Sequence, residues 1–120
     1  MIKGFEEFTV EITKEELPLV QEIALGLKRR IGKENAISNA SICKAYKEKK
    51  EIKLDGPKVR KIIQYIRQEN LVPLLCSNSK GYYVAANATE WNEWVESMTQ
   101  RIKSMQYTLK CATQYTINYE

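Results

Sequence analysis

The stretch from Asp55 to Asn70, D-G-P-K-V-R-K-I-I-Q-Y-I-R-Q-E-N, constrains this chain more than any other. Val59, Ile62, Ile63 and Ile66 recur at i, i+3, i+4 and i+7, the spacing that gathers side chains on one side of an α-helix and turns that side to a core. At about 100° per residue the opposite side collects Lys58, Arg60, Lys61, Gln64, Tyr65, Arg67 and Gln68, and no Asp or Glu falls between Gly56 and Gln68. A helix that meets only water usually mixes its signs. One sign, with amides and a tyrosine as hydrogen-bonding companions, suits a surface that faces a polyanion. Asp55 is placed to cap the helix, Pro57 falls in the first turn where its missing N–H costs little, and Asn70 is a plausible stop.

The neighbours of this helix give it a context. Two apolar runs, Leu71 to Ser77 and Tyr82 to Ala86, flank Asn78-Ser79-Lys80-Gly81 and read as a β-hairpin, with Gly81 supplying the positive φ of a bulged turn and Lys80 at the tip. Pro73 implies an unpaired edge near the start of the first strand. Upstream, Ala36-Ile37-Ser38 looks extended. Ser38 with Asn39 then caps a helix through about Lys49, with Ile42, Ala45 and Tyr46 inward and Lys44, Lys47, Lys49 and Lys50 outward. Strand, helix, turn, helix and two-stranded wing is the order of a winged helix-turn-helix, whose second helix enters the DNA major groove.

The strings Gly32-Lys33-Glu34-Asn35-Ala36-Ile37, Val59-Arg60-Lys61-Ile62-Ile63, Leu71-Val72-Pro73 and Ser79-Lys80-Gly81-Tyr82-Tyr83 resemble those of small winged-helix proteins encoded by phages and prophages. The resemblance covers roughly Leu17 to Ala86. It implies a winged-helix fold and a DNA-related role, and it brings no catalytic residues.

Charge is distributed unevenly around a net +4. Residues 1–27 hold two Lys against six Glu, residues 28–80 hold fourteen Lys or Arg against five acids, and residues 81–120 hold three against four. A basic centre between acidic and neutral ends fits a DNA-facing segment, because duplex binding is driven by neutralising phosphates and releasing counterions. The absence of histidine removes His-dependent triads, zinc hydrolase motifs and imidazole acid–base chemistry, and no Gly-rich phosphate loop is present. The expectation is therefore a non-enzyme without cofactor, metal or small-molecule substrate. Cys43, Cys76 and Cys111 lie far apart without a C-x-x-C pair and read as reduced thiols. No apolar run approaches the ~20 residues needed to span a bilayer, and the first residues lack secretory character, so an intracellular, cytoplasmic protein is expected.

The two ends carry weaker patterns. Phe8, Val10 and Ile12 alternate with Thr9 and Glu11 as a short strand would. Thr13-Lys14-Glu15-Glu16 has capping-box form, and Leu17, Val20, Ile23, Ala24, Leu27 and Ile31 continue a helical stripe that Pro18 complicates at its start. From Trp91 the apolar positions Trp91, Val95, Met98, Ile102, Met105, Leu109 and Ala112 step alternately by four and three, a coiled-coil seam that predicts a homodimer. Asn87 or Thr89 caps this helix, and Tyr115, Ile117 and Tyr119 alternate beyond it.

These readings combine into an α+β winged helix-turn-helix with a long C-terminal helix: residues 1–86 form a DNA-binding domain and residues 87–120 a dimerisation helix and tail. Lys58, Lys61 and Gln64 are expected at base edges of double-stranded DNA, with Arg60, Arg67 and Lys80 on phosphates and Tyr65 and Gln68 on the same face. The alternative is a protein-interaction adaptor whose basic face meets an acidic protein.

Overall fold

The structure, a computed structural model, describes residues 9–115. It is α+β: among the described residues, four α-helices, the last of which runs out of the body, and a two-stranded antiparallel hairpin. Thr13 N–H donates to Glu16 Oε1 at 3.1 Å and Glu16 N–H to Thr13 Oγ1 at 3.2 Å. This is the reciprocal pattern expected of a capping box, closed as a separate turn ahead of helix α1, Leu17–Lys28. Pro18 therefore lies in the first turn of α1, where no intrahelical partner is lost. α1 buries Val20, Ile23, Ala24 and Leu27. It stops before Ile31, which leaves the expected stripe, bridges in parallel to Val84 and is 54% exposed.

Helix α2, Asn39–Lys50, begins at Ser38, whose hydroxyl accepts from Ser41 N–H at 3.0 Å. It buries Ile42, with Cys43 and Tyr46 packed on the same core. It ends where Glu51, at φ 54°, takes a left-handed conformation and the Ile52 amide donates to the Tyr46 carbonyl. Helix α3, Gly56–Gln68, has the predicted ends. The Asp55 carboxylate accepts from Lys58 N–H at 2.9 Å. At the other end Asn70, at φ 53°, donates to Arg67 O while Leu71 N–H reaches Ile66 O, the paired bonds of a Schellman stop with Asn in place of Gly. Val59, Ile62 and Ile66 are fully buried and Ile63 nearly so. Each contributes about 1.5–3 kcal/mol of transfer free energy as an upper bound.

The hairpin is shorter than the sequence pattern predicts. Leu74, at φ 61°, turns the chain sharply, so Leu71 to Leu74 stay outside the ladder and β1 is Leu75–Asn78. β2 is Gly81–Val84, with Leu75 opposite Val84 and Asn78 opposite Gly81, leaving Ser79 and Lys80 as the loop. Asn78 Oδ1 accepts from the amides of Lys80 and Gly81 and ties the turn. Ile37 joins β2 from the other side, exchanging both backbone bonds with Tyr82 at 2.9 Å, which realises the extended piece expected at Ala36–Ser38. Gly81 is required here twice over: its φ is 135°, and a Cβ would stand 2.1 Å from the Ile37 carbonyl oxygen.

No strand forms among Thr9 to Thr13, and Phe8 lies outside the described residues. Val10 is instead held by the Gln68 side chain, which accepts from its amide at 3.1 Å and donates to its carbonyl at 2.9 Å.

The last helix, α4, spans Ala88–Ala112, with Asn87 accepting from Glu90 N–H at 2.9 Å. Glu90, 9% exposed, receives the amides of Ala86 and Lys33 and locks the start of α4 to the body. Trp91 and Trp94 pack on Cys76, Tyr83 and Ala85, a small second core. Trp91, expected in the seam, thus serves the chain's own body. Beyond those turns α4 projects outward, and the radius of gyration is 17.5 Å where a compact chain of this length has about 14 Å. Tyr115 is exposed, while Ile117 and Tyr119 lie outside the described residues. All three cysteines are free thiols.

Candidate nucleic-acid interface

α3 is bordered by different elements on its two flanks, and this divides the acid-free face. On one flank the segment from Val10 to Glu16 runs beside the helix. Gln68 is engaged by Val10, and Lys61 Nζ lies 2.9 Å from Glu16 Oε1. The Glu16 side chain is only 9% exposed, yet the Lys61 ammonium and the Thr13 N–H hold its carboxyl down to about 2. The carboxylate that compensates Lys61 comes from a segment 45 residues away and not from α3 itself. Lys61 and Gln68, both expected to face DNA, are therefore committed to the fold. Tyr65 is half-buried and packs on the core.

The other flank faces the hairpin. Arg67 turns inward: its guanidinium donates to Leu75 O at 2.8 Å and to Ser77 Oγ at 3.4 Å, and it lies 4.9 Å over the Trp94 ring. It joins α3, β1 and α4 and is not available as the expected phosphate holder. Arg60 remains exposed, its guanidinium folded back over Gly56. It is also close enough to Tyr82 to oppose, with Arg67, the burial that pushes the Tyr82 hydroxyl up. Gln64 is exposed on the outer arc, Lys58 is exposed in the first turn, and Lys80 is exposed at the hairpin tip. Neither Lys58, Arg60 nor Lys80 has an ion-pair partner among the described residues.

Between the start of α2 and the hairpin lies an open cleft of about 380 Å³, lined by Ser38, Asn39, Ala40, Ser77 to Lys80, Gly81 and Tyr82. Asn39 Nδ2 donates to the Tyr82 hydroxyl at 3.4 Å across its floor. The hydroxyls and amides of this cleft were not among the residues expected from sequence. They come from two segments some forty residues apart, which the sequence marks only as a helix cap at Ser38 and Asn39 and a hairpin turn at Asn78 to Gly81. The site that results is the cleft, with Lys80 on its lining and Arg60 near Tyr82, while Lys58 and Gln64 are exposed on α3. It offers hydrogen-bond donors and fixed positive charge, and no nucleophile paired with a base. Among the described residues no group of three or more His, Cys, Asp or Glu is placed to hold a metal, and no helix is long and apolar enough to cross a membrane. Against family models, curated proteins and solved structures, the chain gives no match.

Proposed function

We propose that this chain is a winged-helix protein that binds double-stranded DNA without catalysis, a regulator or replication accessory of phage or prophage type. In this reading α3 enters the major groove and the hairpin is the wing on the sugar–phosphate backbone. The observation that carries it is the set of exposed cations without an ion-pair partner among the described residues, Arg60 on a helix that holds no acid and Lys80 at the hairpin tip, with Gln64 exposed on the same helix. Arg60 and Gln64 have the forked donors and the amide that read guanine and adenine edges, and Lys58 and Lys80 suit phosphates. Lys61, Arg67 and Gln68 are assigned to holding the fold.

The test is fluorescence anisotropy with a labelled duplex at about 50 and about 200 mM salt, a range over which several phosphate contacts weaken affinity by orders of magnitude. Lys80→Ala should lower affinity for every duplex and reduce the salt slope by about one. No binding at the lower salt would refute the proposal. One observation favours the adaptor reading: Glu16, in the turn ahead of α1, seats its carboxylate on Lys61, so the α3 face already accommodates an acidic side chain from another segment. Under that reading an acidic peptide binds and duplex DNA does not.

A further inference from the structure

We infer that the groove between α1 and α2 binds a small organic carboxylate, whose apolar body lies in the groove and whose anionic end meets the cations on the rim. The groove measures about 370 Å³, within the range of small-molecule sites. Its floor is built on the buried Ile23, Leu27 and Ile42, and its lining is mostly apolar. Two small residues keep it open. On α1, Gly26 stands between Glu22 and Arg30 at i, i+4 and i+8, and no heavy atom lies within 4 Å of where its Cβ would be. On α2, Ala45 lines the groove one turn before Lys49. A glycine inside a helix weakens it relative to alanine, and neither a positive φ nor a close neighbour calls for one at Gly26. The fold itself makes no use of the space it leaves.

The charges of the rim choose the ligand. Glu22 is the one acid on the lining, and it is answered from α2 by an ion pair with Lys50 and by Tyr46, whose hydroxyl is pushed up to about 12 by burial first and by the Glu22 charge second. Arg29, Arg30 and Lys49 remain. Arg29 and Lys49 have no ion-pair partner among the described residues, and Arg30 donates to the Asn35 carbonyl at 3.5 Å, a contact that brings no negative charge. An apolar floor beneath three uncompensated cations suits a molecule that is apolar along its length and anionic at one end. A neutral apolar molecule leaves the cations unanswered, and a polyanion gains nothing from the floor. The lining shares no residue with the hairpin cleft and includes neither Arg60 nor Lys80, so this inference is independent of the DNA reading.

The probe is decanoate, with decanol as its uncharged counterpart, each titrated below its aggregation limit into the isotope-labelled full chain and followed by backbone amide chemical shifts. Decanoate is expected to bind once per chain at sub-millimolar concentration, with the largest shifts at Gly26, Arg29, Arg30 and Ala45. Decanol should bind about tenfold more weakly, and Arg29→Gln with Arg30→Gln should weaken decanoate by about the same factor, because charge-assisted hydrogen bonds are lost in both cases. Gly26→Leu places a side chain in the groove and should lower decanoate affinity by about tenfold or more. Its thermal midpoint should not fall, since leucine is the better helix former and meets no clash there. Absence of decanoate binding overturns the proposal, as do shifts confined to α4, whose apolar stripe also reaches solvent. So do equal affinities for decanoate and decanol, or a decanoate affinity that Gly26→Leu leaves unchanged.

Discussion

Replacing Lys61 by methionine removes the counter-charge of a buried carboxylate and keeps the stem that packs beside it. Glu16 is held near 2 against an ordinary 4.5 by the Lys61 ammonium first and the Thr13 N–H second. Taken at face value that displacement is about 3 kcal/mol at ~1.36 kcal/mol per pKa unit. The Lys61 side chain is 37% exposed, so solvent screening reduces the share of the pair to about 1–2 kcal/mol. The folded pKa lies below the unfolded one. The stabilisation is therefore complete above about pH 4.5 and is lost as pH falls through about 2. Urea denaturation followed by tryptophan fluorescence should show Lys61→Met less stable than wild type by about 1–2 kcal/mol at pH 7. The gap should shrink near pH 2, where Glu16 becomes protonated in both proteins. Equal midpoints at pH 7 would show that the pair contributes nothing, and a gap unchanged in acid would show that Lys61 acts through packing alone.

Three further substitutions probe the joints of the fold. Arg67→Met strips the Leu75 carbonyl of its donor and the Trp94 ring of its cation, and should destabilise by about 2–3 kcal/mol with a change in tryptophan emission; an unchanged melt and spectrum would refute the clip. Gly81→Ala forces a Cβ into the Ile37 carbonyl at a φ unfavourable to alanine and should cost more than about 3 kcal/mol in urea, so a loss below about 1 kcal/mol would contradict the close approach. Glu51→Gly relieves a left-handed non-glycine residue at the end of α2 and should raise stability by about 0.5–1 kcal/mol; a lower thermal midpoint would disprove it.

The sequence by itself determined the elements whose causes are local. Asp55, Ser38 and Asn87 cap helices through bonds to residues three positions on, and Asn70 stops α3 through bonds reaching no more than five residues. Val59, Ile62, Ile63 and Ile66 are buried because a 3.6-residue period leaves them one side to share. The exposure of Arg60, Gln64 and Lys80 follows from the same periodicity and from the hairpin turn. Tertiary structure decided what lies against the faces that periodicity only marks as outward. Helical spacing puts Lys61, Arg67 and Gln68 away from the core, but Glu16, Val10 and the β1 strand come to meet them, and no local pattern encodes those meetings. The alternation at Val10 and Ile12 did not become a strand because the Gln68 amide took the Val10 backbone bonds that a neighbouring strand would have needed. Trp91 fits the period of the α4 seam, yet it is claimed by the second core, because α4 starts on the body and its first turns must bury what touches it. Periodicity fixes where a side chain points along its own axis; which charge, strand or ring stands opposite depends on contacts between residues distant in the chain, and these exist only once the fold has closed.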